Sequence, residues 1–235
     1  MTTMTEFQGF PPDTLRFLHE LSQHNEKGWF EANKTRYQDN ILAHAPAFVE
    51  ALGRRLQAGI SPGIVFDTRA NGAGSMMRIY RDTRFSRDKT PYKTNVAFVF
   101  WEGPNKKMEN PSFGFQFGTF GAGLYGGVFG FTNELRDKYR AAVIDAKRGA
   151  ALEEALAAVR AAGDYTIEGE QTKRVPAGFD AEHARADLLR YKGLYASSPQ
   201  FDIQAVTTPD LVDICYEHCR NMAPLQQWLV AVDRG

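Results

Sequence analysis

The sequence is poor in the features that define specialised classes of protein. Only two of its 235 residues are cysteines, and 28 Lys and Arg residues are balanced by 28 Asp and Glu residues, so the formal net charge is zero. No apolar run reaches the roughly 18 residues that a membrane helix needs. Two cysteines cannot form the disulfide framework of a small secreted domain. Binding to nucleic acid through overall charge is not expected of a neutral chain.

The first residues also lack a targeting pattern. Residues 1–7 are polar and have no apolar core of the kind found in a signal peptide. The two cysteines, Cys215 and Cys219, are four residues apart on one predicted helix, and we expect both to be reduced thiols. These absences predict a cytoplasmic protein without membrane contact.

The remaining composition is that of an ordinary globular domain, with 43% hydrophobic and 24% charged residues. Helical spacing of apolar residues dominates the first quarter of the chain, and Thr208 and Pro209 open a long final helix. Strand patterns are concentrated between these regions. We therefore predict a single α+β domain over residues 1–235, with a central antiparallel or mixed sheet flanked by N-terminal and C-terminal helices.

Several segments carry more specific predictions. The unbroken apolar run 96–101 predicts a central strand covered on both faces. In 113–118, phenylalanine alternates with small or polar residues, which predicts a strand whose second face is nearly free of side chains. A helix is predicted at 181–191 and a strand at 201–206.

The densest polar stretch of the chain is 78–95, which reads R-I-Y-R-D-T-R-F-S-R-D-K-T-P-Y-K-T-N. Residues 78–93 contain six cations and two carboxylates, a local charge of +4 in a neutral chain. The cations are Arg78, Arg81, Arg84, Arg87, Lys89 and Lys93, and the carboxylates are Asp82 and Asp88. A local cationic island in a neutral protein indicates a bound anion rather than a general affinity for polyanions.

The arrangement of this stretch follows from strand alternation and from proline. Met77 and Ile79 are predicted to lie on one face of a strand, and Arg81 would share that inward direction. An inward arginine must be paired with a carboxylate or with an anionic ligand. Pro91 cannot belong to a regular strand, so 83–91 is predicted to be a polar loop supported at the end of the sheet.

These considerations give a set of candidate roles for residues that bind a small anionic or phosphate-bearing ligand. Guanidinium groups supply forked donors for phosphate or carboxylate, and lysines supply point charges. The candidate ligand-binding residues are Arg81, Arg84, Ser86, Lys89 and Lys93. If a reaction takes place, the candidate catalytic residues are Asp82 or Asp88 as base, and Tyr92 as an acid or orienting group.

Two alternatives stay open for the same motif. It could be a structural network in which Asp82, Asp88 and Tyr92 satisfy the arginines. It could also be the exposed basic loop of a non-catalytic interaction protein that contacts nucleic acid or an acidic partner. The sequence does not decide whether a reaction is catalysed, and it shows no evident cofactor motif.

Three further motifs match known patterns only in part. Ser86 and Lys89 form S-x-x-K, but in a predicted loop rather than at a helix start. Residues 121–126 spell G-x-G-x-x-G, but a strand pattern follows where a dinucleotide-binding fold needs a helix. Cys215, His218 and Cys219 could offer metal ligands, but they lie in the apolar stripe of a core helix, so no metal site is predicted.

The motif R-D-x-R-F-S-x-D-K-x-P-Y-K at 81–93 resembles the signature of a widespread bacterial family of uncharacterised proteins classed as a domain of unknown function. A second block, Asn25-x-x-x-Trp29-Phe30-x-x-x-Lys34-x-x-Tyr37, is similar to that family as well. The resemblance covers nearly the whole chain. It implies a single bacterial α+β domain, and it assigns no reaction, substrate or catalytic residue.

Overall fold

The computed structural model describes residues 6–235. The N-terminal region, up to residue 59, is helical. The helices are α1 (Asp13–Gln23), α2 (Lys27–Ala32), α3 (Lys34–Tyr37) and α4 (Ala45–Gly59), with a π-helical turn at Gln38–Leu42. In α1 the apolar residues Phe17, Leu18 and Leu21 recur at helical spacing, and all three are buried. Pro46 stands in the first turn of α4, where its missing amide hydrogen costs no helical bond.

A five-stranded antiparallel sheet follows. Its strands are β1 (Asn95–Trp101), β2 (Ser112–Gly118), β3 (Gly121–Val128), β4 (Thr166–Glu168) and β5 (Leu194–Ser197), in the order β1-β2-β3-β5-β4. Helices α5 (Asn133–Ile144) and α6 (Ala146–Ala161) lie between β3 and β4 along the chain, and α7 (Leu211–Arg234) ends it. The predicted α+β class, with a central antiparallel sheet and helices at both ends, is confirmed.

One face of the sheet forms the core together with the helices. Phe98 pairs with Phe115 across β1 and β2, and Phe115 pairs with Leu124 across β2 and β3. All three side chains are buried, because strand alternation places them on the same side of the sheet. Helix α7 packs on this side of β3 at Gly126, where an added Cβ atom would lie 2.9 Å from the Cβ of Met222. No helix within residues 6–235 is both long enough and apolar enough to span a bilayer.

The second face of the sheet is more open and carries one large side chain in its centre. Gly114 and Tyr125 are register partners of β2 and β3. A Cβ atom on Gly114 would lie only 1.8 Å from the ring of Tyr125, so that ring crosses directly over the glycine. The predicted flat second face of β2 is therefore the surface on which Tyr125 rests.

The prediction that 96–101 is a central strand was wrong. β1 is the first strand of the sheet, and its outer edge meets only isolated bridges, from Val65 to Trp101 and from Met76 to Phe98. One face of β1 packs in the core, and the other leaves Ala97 half-buried. An apolar run alone does not distinguish a central strand from an edge strand whose outer side is covered by irregular chain.

Two later predictions were also wrong. The expected helix at 181–191 consists of turns and a short 3-10 helix, Leu188–Arg190. Asp180 and His183 there accept backbone N–H bonds from residues two positions ahead, and such local bonds compete with helix formation. The expected strand at 201–206 is a 3-10 helix, Ile203–Thr207, and the strand that precedes it, β5, was not predicted.

Candidate functional site

The segment 75–81 lies beside β1 and carries the start of the basic motif. Met77 N donates to Ala97 O at 2.8 Å, which ties the segment to the outer edge of β1. Arg81 N donates to Pro91 O at 2.9 Å, so the chain that leaves this segment returns to it. The polar loop between Arg81 and Pro91 is thus closed at its base by backbone hydrogen bonds.

Within this loop the cations lie against the loop's own carboxylates. Arg84 forms a forked pair with Asp82, with bonds of 3.0 and 2.7 Å, and Arg81 Nη1 contacts Asp88. The side-chain bond from Arg84 holds the pKa of Asp82 at about 2. The pKa of Asp88 is also lowered to about 2, mainly because the backbone N–H of Thr90 donates a hydrogen bond to its carboxylate. Both candidate bases are therefore ionised and already hydrogen-bonded at neutral pH.

The remaining loop candidates are held in other ways. Lys89 Nζ donates to the carbonyl oxygen of Thr83 at 2.8 Å, and the Ser86 backbone N–H contacts the same carbonyl at 3.4 Å. Tyr92 is buried and stacks on Phe30 with ring centroids 4.1 Å apart. The Tyr92 ring thus belongs to the packing between the motif and the N-terminal helices.

A cleft of about 420 Å³ opens between the segment that carries the motif and the second face of the sheet. We call it the sheet-face cleft. Its polar lining residues are Arg81, Asp82, Lys93, Asn95, Gln116 and Tyr125. The structure therefore brings together three of the predicted site residues, and it places the other five outside this lining. Those five are Arg84, Ser86, Asp88, Lys89 and Tyr92.

Lys93 differs from the other lysine of the motif. Its side chain is half-buried in the sheet-face cleft, and no hydrogen bond or ion pair reaches that side chain from residues 6–235. Burial, with a smaller effect from the positive charge of Arg78, holds the pKa of Lys93 below its ordinary value. A half-buried ammonium without a protein partner is electrostatically suited to an anion from solution.

Sequence reasoning missed the residues that the sheet contributes to the site. Gln116 faces the cleft because alternation in β2 turns it away from the core, so the pattern of that strand contained the signal. An aromatic cluster is formed by Tyr125, Phe129 and Tyr195. The ring centroid of Phe129 lies 4.2 Å from that of Tyr125 and 4.3 Å from that of Tyr195. Burial raises the pKa of Tyr125 to about 12. This cluster depends on the pairing of β3 with β5, which the sequence does not show.

The C-terminal cysteines do not form a ligand set. Cys215 and Cys219 are buried, and burial raises the pKa of both thiols. His218 is instead hydrogen-bonded through Nδ1 to the Tyr165 hydroxyl at 2.7 Å, and Asn221 Nδ2 donates to the same hydroxyl at 2.9 Å. Among residues 6–235 no three His, Cys, Asp or Glu side chains are grouped as metal ligands.

Comparison with known proteins identifies a family. A family model described as "Conserved hypothetical protein (DUF2461)" matches residues 13–228. The match includes both sequence blocks that indicated the resemblance, 25–37 and 81–93. No curated protein and no solved structure matches the chain.

Proposed function

We propose that this chain, which belongs to the DUF2461 family of conserved hypothetical proteins, binds a small anionic ligand in the sheet-face cleft. The observation that carries the proposal is the position of Lys93, which lines the cleft without a partner among the described residues. A cation in such a position is stabilised when an anion binds next to it.

Arg81 supplies the second part of the anion site. Its bonds to Asp88 and Thr90 both use Nη1, and a guanidinium carries further N–H donors on Nε and Nη2. The remaining donors are available at the edge of the cleft that Arg81 lines. Asp82 lines the same cleft with a negative charge, but Arg84 compensates it. The uncompensated charge of the lining is therefore positive.

The rest of the lining favours an organic anion over a simple inorganic ion. Met77 and Phe129 supply apolar surface, and Asn95 and Gln116 supply amide groups for hydrogen bonds. A volume of about 420 Å³ is in the range of pockets that hold metabolites. A phosphate ester or a carboxylate with a small organic body matches this combination of charge, amides and apolar surface.

The proposal is for binding rather than catalysis. Of the three candidate catalytic residues only Asp82 lines the cleft, and its pKa of about 2 makes its carboxylate a weak base at neutral pH. A general base is most effective when its pKa lies near the working pH.

The test is a thermal-shift screen against sugar phosphates, nucleotides, organic acids and inorganic phosphate. A ligand at 100 times its dissociation constant adds about 2.7 kcal/mol of stability, which is easily measured. Lys93→Met should abolish the shift. Arg87→Met is the matched control, because Arg87 is a cation of the same loop that does not line the cleft. An equal loss in both variants, or no shift with any ligand, would contradict the proposal.

A second candidate function is supported by Phe85. Its side chain is 95% exposed in the loop, and the guanidinium of Arg84 lies 5.9 Å from its ring centroid. An exposed aromatic ring among cations suits stacking on the bases of single-stranded nucleic acid. A short oligonucleotide in the same screen tests this function. Binding that falls steeply with added salt and is lost in Phe85→Ala would favour it over the sheet-face cleft.

A further inference from the structure

A second pocket, of about 240 Å³, lies on the other side of the segment that carries the motif. We call it the helix-side pocket. Phe30, Lys34 and Tyr37 of the N-terminal helices line one side, and Arg78 and Tyr80 line the other. Lys93 and Arg81 belong to the sheet-face cleft and not to this lining. The two cavities are therefore separate sites that share one stretch of chain between them.

Tyr37 gives the helix-side pocket a polar group that lacks a partner in the described chain. Its side chain is only 8% exposed, and its hydroxyl makes no hydrogen bond to any of residues 6–235. Tyr37 lines the helix-side pocket and its hydroxyl is not sealed from solvent, so water or a ligand atom can reach it. Nearly all buried polar groups in proteins are bonded to protein or to water, so a ligand atom can take the place of water at this hydroxyl.

Two cations line the helix-side pocket, and one of them, Arg78, forms no ion pair within the part of the chain that the structure describes. The Arg78 side chain lines the pocket and has no hydrogen bond or ion pair to residues 6–235. Lys34 also lines the pocket, but its Nζ lies 3.4 Å from Glu31 Oε2. The charge of Arg78 helps to lower the pKa of Asp82, but no carboxylate within residues 6–235 is hydrogen-bonded to its guanidinium, so the planar fork is open to a carboxylate ligand.

The other walls are apolar and partly aromatic. Phe30 and Ile79 are buried at the pocket, and Tyr80 leaves about half of its side chain exposed there. The Tyr80 ring centroid lies 6.3 Å from that of Phe30, so the ring is held against the packed core. The π-helical turn Gln38–Leu42 completes the wall, and turns of this kind occur frequently at functional sites.

We propose that the helix-side pocket binds a small aromatic carboxylate. Arg78 meets the carboxylate group, the Tyr37 hydroxyl donates a hydrogen bond to it, and the apolar wall at Tyr80 and Ile79 holds the ring. This site is distinct from the sheet-face cleft, because no cation is common to the two linings, although the charge of Arg78 reaches Lys93 and lowers its pKa.

The test is a titration of the full chain with benzoate, followed by calorimetry or by protein-detected NMR. Arg78→Met should weaken benzoate binding by about tenfold or more, since it removes a charged hydrogen bond. Tyr37→Phe removes one neutral hydrogen bond and should weaken binding by about threefold to tenfold. Benzyl alcohol, which has the ring without the charge, should bind more weakly than benzoate.

Arg87→Met is the matched control, because Arg87 is a cation of the same motif that lines neither cavity. Unchanged benzoate affinity in this variant supports the helix-side pocket, and a loss equal to that of Arg78→Met overturns it. Wild-type protein that does not bind benzoate, or that binds benzyl alcohol equally well, also overturns it. Tyr37→Phe retains the ring and so keeps the test valid if Arg78→Met fails to fold. Failure here leaves the Lys93-dependent binding of the sheet-face cleft unaffected, so the two proposals are tested separately.

Discussion

The side chain of Asn25 is hydrogen-bonded to both backbone groups of Tyr92. Asn25 Nδ2 donates to Tyr92 O at 2.9 Å, and Asn25 Oδ1 accepts from Tyr92 N at 3.0 Å. An amide side chain here satisfies a backbone position in the way that a neighbouring strand would. Together with the stacking of Phe30 on Tyr92, this pair fixes the end of the basic loop to the N-terminal helices.

Replacing Asn25 should therefore destabilise the fold. Asn25→Ala leaves the backbone N–H and C=O of Tyr92 without these partners, and we expect a loss of about 1–3 kcal/mol in the free energy of unfolding. Urea unfolding measures it. Gln23→Ala is the matched control, because the Gln23 amide is exposed and bonds only to its neighbour Ser22 within residues 6–235. Equal stability of the two variants would show that the Asn25 bonds contribute nothing.

The contact between Gly114 and Tyr125 gives a second prediction. Gly114→Ala places a methyl group where the Tyr125 ring lies, and such overpacking costs about 1–3 kcal/mol. Gly123 lies on the same face of the sheet, but a Cβ there meets only Ser198 Oγ at 3.7 Å. Gly123→Ala should thus be neutral or stabilising by up to about 1 kcal/mol. Thermal unfolding of both variants checks the contrast, and similar losses would contradict it.

A third prediction concerns a carboxylate that is wholly enclosed. The Glu102 side chain is 0% exposed and accepts hydrogen bonds from Ser61 Oγ at 2.7 Å, Gln227 Nε2 at 2.8 Å and Arg234 Nη2 at 2.7 Å. These bonds join the end of β1 to the chain after α4 and to α7. Glu102→Ala removes all three, and we expect a loss of about 2–4 kcal/mol in the free energy of unfolding.

Denaturant unfolding with Glu154→Ala as control tests the role of Glu102. Glu154 is exposed on α6 and forms no ion pair within residues 6–235, so its removal should change stability by less than about 0.5 kcal/mol. If the Glu102→Ala variant is as stable as this control, the three hydrogen bonds give no net stability beyond that of the bonds to water that they replace on folding. Glu102→Gln, which keeps the shape of the side chain, should lie between the two.

The sequence predicted those parts of the fold that depend on local patterns. Helix α1 and strand β2 show the spacing of apolar residues that their structures require, and both were predicted. The helix expected at 181–191 failed because Asp180 and His183 bond to nearby backbone groups. Strand β5 has only four residues and depends on pairing with β3 and β4, so its existence is set by the sheet and not by its own pattern.

The site shows the same division. The concentration of charge in 78–93 located the segment, and the structure brings Arg81, Asp82 and Lys93 to one cleft. Charge alone could not tell which cations the loop would bind internally, because that depends on backbone geometry in the loop. Arg84 pairs with a carboxylate two residues away, whereas Lys93 meets none among the described residues. The sheet residue Tyr125 joins them only through strand register.

The absence of a partner for Lys93 within residues 6–235 predicts a conflict between stability and binding. Burial lowers the pKa of Lys93 in the folded protein, so the folded state holds the proton less tightly than the unfolded state does. The charged side chain therefore opposes folding at every pH below its folded-state pKa. This opposition decreases as the pH rises through the folded-state pKa, and it disappears above the ordinary lysine pKa of 10.5.

Lys93→Met should accordingly raise the free energy of unfolding at pH 7 while it abolishes anion binding. The expected gain is below about 1 kcal/mol, because solvent screens a half-exposed ammonium. Lys106→Met, at an exposed lysine, should give no gain. The gain should shrink as the pH rises through the lowered pKa of the folded state toward 10.5, because the folded wild-type lysine loses its charge in that range. If the Lys93→Met variant is less stable than wild type at pH 7, the ammonium of Lys93 stabilises the folded protein. That result would contradict an unpartnered Lys93 and with it the proposed anion site in the cleft.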